Sequence, residues 1–62
     1  MTSYSSKEIL RILAQDGWTF NRQRGSHIQL EHPVKKGKVT VPYPKKNLKP
    51  KTIQSILKQA GL

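Results

Sequence analysis

The apolar residues of this chain change their spacing twice, and that double change limits the folds it can adopt. Ile9, Leu10, Ile12 and Leu13 recur at helical spacing. From Trp18 to Val41 apolar and polar residues alternate, as in strands with one buried face. Ile53, Ile56, Leu57 and Ala60 return to i, i+3, i+4 and i+7, a narrow helical stripe. Ser5-Ser6-Lys7-Glu8 matches a capping box, with Tyr4 and Ile9 at the staple positions on either side. Gly17 suits the left-handed residue that ends a helix. Arg24-Gly25 supplies a turn, so a strand holding Trp18, Phe20 and Arg22 and a strand over Ser26–Glu31 form an antiparallel hairpin. A second turn spans His32 to Gly37. Lys38 to Val41 make a third strand, ended by Pro42. Pro42 to Lys49 is an aperiodic basic connector. Pro50 fits the first position of the last helix, and Gly61 stops it. The order is α-β-β-β-α, an α+β fold. One sheet face (Trp18, Phe20, Ile28, Leu30, Val39, Val41) is expected to carry both helices, and the other to be solvated.

With 62 residues there is room for a single domain, over 1–62. Such a chain buries only about 60% of its unfolded surface, so an enclosed cofactor cavity is not expected. Cysteine is absent, which excludes a disulfide framework and fits a reducing compartment. No apolar run approaches the ~20 residues of a membrane span, and the start Met1-Thr2-Ser3 reads as a cytoplasmic beginning. Twelve Lys and Arg against three acids give a net charge of +9, which points to a polyanion or a strongly acidic partner. Glu8, Asp16 and Glu31 are too scattered for a magnesium or calcium cage, so no metal is expected.

The solvated face holds His27, Gln29 and Thr40, with Lys38 beside them. An ordinary exposed histidine is the plain reading of His27. Its context favours a functional one: Gly25 admits a close backbone approach, Ser26 offers a hydroxyl, and Arg22 and Arg24 lie just upstream. An imidazole in that setting can serve as a general base. His32 is not its partner acid unless a bulge intervenes. Five residues along a strand put the two rings on opposite faces, roughly 16 Å apart at about 3.3 Å per residue. Lys45, Lys46, Lys49 and Lys51 gather near the start of the last helix, where backbone N–H groups already favour phosphate. Contacts of that kind position a nucleic acid without reading its sequence.

Gly25-Ser26-His27, then Val39-Thr40-Val41-Pro42, Leu48-Lys49-Pro50 and Ser55-Ile56-Leu57-Lys58-Gln59-Ala60-Gly61, together resemble the HicA toxin family. The resemblance covers nearly the whole chain. It implies a double-stranded-RNA-binding-like fold, an mRNA interferase whose essential histidine matches His27, and neutralisation by a HicB antitoxin. Many relatives carry a second histidine directly after the first, where this chain has Ile28. Many also carry one after the Val-Pro element, where this chain has Tyr43-Pro44. The expected activity is a metal-independent endoribonuclease acting on mRNA. His27 would be its base, and Arg22, Arg24, Gly25, Ser26, Lys38, Lys45, Lys46, Lys49 and Lys51 would hold RNA. The alternative is a non-catalytic module that reads double-stranded RNA by its A-form shape. A small DNA-binding protein is a weaker reading, because no helix-turn-helix spacing joins the two helices.

Overall fold

The structure, a computed structural model, describes residues 4–62. The Met1-Thr2-Ser3 start lies outside the described residues. Helix α1 (Ser6–Gln15) is followed by β1 (Thr19–Arg24), β2 (His27–Glu31), β3 (Val39–Pro42) and helix α2 (Pro50–Gln59). The strands form one antiparallel sheet in the order β1-β2-β3. This is the α-β-β-β-α arrangement that the spacing predicts.

The capping box starts α1 reciprocally. The Ser5 hydroxyl accepts from the Glu8 N–H at 3.2 Å, and the Glu8 carboxylate accepts from the Ser5 N–H at 3.0 Å. Donation from the Ser5 N–H, and second from its hydroxyl, favours the ionised acid and holds the Glu8 carboxyl below its ordinary value. Helix α2 has no such device. Lys49 stands at its N-cap without a side-chain bond, and Pro50 opens the first turn.

The core is a single layer between the helices and the inner faces of β2 and β3. Ile9 and Leu13 of α1 and Ile53 and Ile56 of α2 meet Ile28, Leu30, Val39 and Val41. Strand β1 contributes no buried side chain. Phe20 therefore departs from expectation: it pairs with Leu30 but is 61% exposed. Its face is the helical one, yet the two helices are centred beyond its edge strand. The connector also differs from a plain solvated loop. Leu48 is buried, its N–H donates to the Tyr4 carbonyl at 2.8 Å, and the Ser6 N–H donates to the Lys45 carbonyl at 2.9 Å. The buried Ser6 hydroxyl donates to the Pro42 carbonyl. The start of α1 thus holds the connector against the sheet.

The far end of the molecule is fastened by the turn after β2. His32 Nδ1 accepts from the Val34 and Lys35 N–H groups at 3.0 and 2.9 Å. The proton then resides on Nε2, which donates to the Asp16 carbonyl at 2.7 Å. The ring also meets Trp18 edge-on at 5.2 Å. A Cβ on Gly17 would lie 2.7 Å from His32 Nε2, so glycine is required there for space as well as for its φ of +104°. Lys35 completes the clasp, donating to the Asp16 carboxylate at 2.5 Å and to the Ala60 carbonyl at 2.9 Å. That ammonium holds the Asp16 carboxyl below its usual value. The resulting stabilisation is present above the ordinary carboxylate range and is lost as pH falls through the lowered value.

His32→Ala leaves two N–H groups without their acceptor and one carbonyl without its donor. The expected cost is about 1–3 kcal/mol. In a domain of this size each 1 kcal/mol lowers Tm by roughly 4–8 °C. A thermal melt checks this, and an unchanged Tm would show that the turn holds without the ring.

Candidate active site and nucleic-acid interface

The site is set by the β1–β2 turn. Gly25 and Ser26 form a two-residue loop, with Gly25 at φ +58° and no positive φ at Ser26. That is the pattern of a type II′ hairpin, whose twist matches the strands it joins. It places Arg24 directly across from His27. Space around Gly25 is open, so its role is the turn and not close approach of another chain segment. On the other side of β2, His27 pairs with Pro42 of β3, and the Tyr43 N–H continues the ladder to the Ser26 carbonyl at 2.7 Å.

A bulge brings the arginines to this face. Phe20 pairs with Leu30, but Arg22 pairs with Gln29, so Asn21 is an extra residue in β1. Regular alternation would put Phe20, Arg22 and Arg24 together on the helical side. The inserted residue instead leaves Phe20 there and turns Arg22 and Arg24 to the face of His27, Gln29 and Thr40. Cross-strand neighbours on one face have Cβ atoms about 5 Å apart. Arg24 is such a neighbour of His27, and Arg22, opposite Gln29, is its diagonal neighbour at roughly 7–8 Å, a distance that a long side chain spans, so both guanidinium groups are within reach of an anion at His27.

His27 is exposed and lies where two shallow hollows meet. The first, of about 300 Å³, runs toward α2 and is bordered by Thr40, Pro42, Lys51, Thr52, Ser55 and Gln59. The second, of about 430 Å³, runs along the connector and is bordered by Ser26, Pro42, Lys45, Asn47, Lys49 and Thr52. Lys45, Lys49 and Lys51 therefore converge on His27 together with Arg22, Arg24 and Ser26. Lys46 lies elsewhere, in a hollow by the start of α1 with Lys7 and Tyr43. Lys38 precedes β3, at the end of the sheet away from His27. Among the described residues the one ion pair joins Lys35 and Asp16, so the cations around His27 have no acidic partner. The His27 ring likewise makes no hydrogen bond among the described residues.

Helix α2 brings further residues to the site. Thr52, Ser55 and Gln59 stand at i, i+3 and i+7 and form a polar stripe beside the buried one. The spacing was readable. What it faced was not, because only the packing of α2 on β3 brings that stripe to His27. No group of three or more His, Cys, Asp or Glu side chains lies together among the described residues.

A sequence model of the family described as "HicA toxin of bacterial toxin-antitoxin" matches residues 6–62. Among solved structures, the chain is similar to one from a "Toxin-Antitoxin complex from Streptococcus pneumoniae", with 34% identity and a TM-score of 0.78. That similarity covers 94% of this chain and 97% of the other. No curated protein matches.

Charge placement gives a direct test. Lys45→Ala and Lys49→Ala are each expected to weaken binding of a short single-stranded RNA and to reduce the salt slope by about 0.7 per lost phosphate contact. Lys38→Ala and Lys46→Ala are expected to change the slope less. Titrations at several salt concentrations check this, and equal effects for all four would mean diffuse attraction and not a track through His27.

Proposed function

The chain belongs to the HicA toxin family of bacterial toxin–antitoxin systems, and from that premise we propose that it is an mRNA interferase, a metal-independent endoribonuclease. One observation carries this reading. An exposed histidine, its ring without a hydrogen bond among the described residues, stands on the same sheet face as two arginines and beside three convergent lysines. Of the acids, Glu8 is occupied in the α1 cap and Asp16 in the Lys35 clasp. Glu31, four residues along β2 from His27, stands at the other end of the strand.

His27 takes the proton from a ribose 2′-hydroxyl. The 2′-oxygen then bonds to the adjacent phosphorus, the bond from phosphorus to the 5′-oxygen breaks, and the leaving oxygen takes up a proton. Arg22, Arg24 and the lysines offset the charge that grows on the phosphoryl oxygens. Ser26, at the hinge of the hairpin, offers a hydroxyl beside them. A single positioned base contributes about 10²–10⁴-fold, so turnover is slow. A slow enzyme is still toxic when its substrate is the pool of messages, which places its work in the cytoplasm.

His27→Ala is expected to abolish RNA cleavage and growth arrest while leaving the melting temperature nearly unchanged, because the ring packs against nothing in the core. The wild type should cut in the presence of EDTA and leave a 2′,3′-cyclic phosphate or its 3′-phosphate product. A 2′-deoxy sugar at the scissile position should resist. Cleavage by His27→Ala at the wild-type rate would overturn the assignment and leave a binding module.

A cationic nucleolytic face needs restraint in the cell that makes it. The similar structure from Streptococcus pneumoniae is described as a toxin–antitoxin complex. The partner proposed here is a HicB-type antitoxin with an acidic surface, since opposite charge speeds association. Hydrogen exchange on the co-purified pair should show protection at β2, β3 or the connector. Protection confined to the helical surface away from His27, with RNA still bound, would replace occlusion by an indirect mechanism.

A further inference from the structure

The two hollows that meet at His27 differ in chemistry. The connector side is cationic, with Lys45 and Lys49 at its border. The α2 side presents mainly neutral groups: the hydroxyls of Thr40, Thr52 and Ser55 and the carboxamide of Gln59, with Lys51 as its one cation. Among the described residues none of these four neutral side chains hydrogen-bonds to the protein. Their donors and acceptors are thus available to a ligand.

A phosphate only accepts hydrogen bonds and is best met by cations. A nucleobase edge both donates and accepts, and hydroxyls and carboxamides do the same. Resting on the reading of the site as a ribonuclease, we propose that the α2-side hollow is a base-recognition subsite, in which Gln59, Ser55 and Thr40 read the nucleotide next to the scissile phosphate. Three features support it. The hollow is about 300 Å³, at the small end of ligand pockets and suited to one heterocycle. His27 borders it, so a base held there keeps its ribose beside the general base. Finally, the reading groups sit on regular elements. Thr40 lies mid-strand between the fully buried Val39 and Val41, and Ser55 and Gln59 flank the buried Ile56. Side chains on such supports are held more precisely than side chains on a loop.

The division of labour follows from the chemistry. The connector hollow binds the phosphate chain without regard to sequence, and the α2 hollow sets which nucleotide is cut. The substrate is therefore single-stranded at the site, because pairing in an A-form helix occupies the Watson–Crick edge and keeps the base stacked, so only an unpaired base can turn into the hollow.

Two measurements test the proposal on the full chain. The first is binding of short A, C, G and U homo-oligoribonucleotides to the uncleaving His27→Ala variant, alone and combined with Gln59→Ala or Thr40→Val. One base should be preferred by about fivefold or more, the scale of a paired hydrogen-bond contact. Both added substitutions should flatten that preference and leave the salt slope unchanged. Lys49→Ala should instead weaken all four oligonucleotides alike. The second is sequencing of the ends that the wild type and Gln59→Ala leave in bulk RNA, where the base preference at the cut should relax. These positions are exposed, so the variants keep the fold. Equal binding of the four oligonucleotides, or the same preference after loss of Gln59 and of the Thr40 hydroxyl, would overturn the subsite. Absence of cleavage by the wild type would overturn the nuclease reading instead, and the binding comparison would still decide the subsite.

Discussion

Burial of β3 is the constraint on which the rest of this small protein depends. Val39 and Val41 are fully buried, and both helices meet the sheet at that strand. A strand has a side-chain period of two, so burying these two valines forces Thr40 and Pro42 to the opposite face. Antiparallel pairing with β2 then carries the same decision to Ile28 and Leu30 on one side and to His27 and Gln29 on the other. A one-residue slip would exchange the core for the site, and the lost apolar burial forbids it.

The two ends of the sheet are treated differently. At one end the ring of His32 and the ammonium of Lys35 satisfy carbonyls at the close of both helices, and the turn is fixed by its own N–H groups. At the other end the side chains of His27, Arg22 and Arg24 have no hydrogen-bond or ion-pair partner among the described residues. Paired polar groups stabilise a small domain, while unpaired cations around one point repel one another and favour an anion. The two histidines illustrate the division. One is committed through both ring nitrogens to backbone partners, and the other presents its ring to solvent.

Much of the fold was legible because it is encoded locally. The Ser5–Glu8 box, the Gly17 stop, the Gly25-Ser26 turn and Pro50 at a helix start each act within a few residues of themselves. Of the six residues expected on the helical face, five are buried and Phe20 is not. Periodicity states which face a residue is on. It does not state how far the helices reach across the sheet. Leu48 was hidden for a related reason: a lone apolar residue in a connector has no period, and its burial depends on α1 holding the connector in place.

Element order, caps and turns, the excess of positive charge and the outward position of His27 are written along the chain. All of these follow from spacing or composition, and the motifs around Gly25-Ser26-His27 carried the family as well. Tertiary structure alone decided which groups keep His27 company. The bulge at Asn21 turned Arg22 and Arg24 to its face against simple alternation. Docking of α2 on β3 brought Thr52, Ser55 and Gln59 to it, and the path of the connector brought Lys45 and Lys49 while leaving Lys46 on another surface. The reason is physical: a local pattern fixes the direction of a side chain relative to its own backbone, whereas the meeting of two faces is fixed only when the core between them closes.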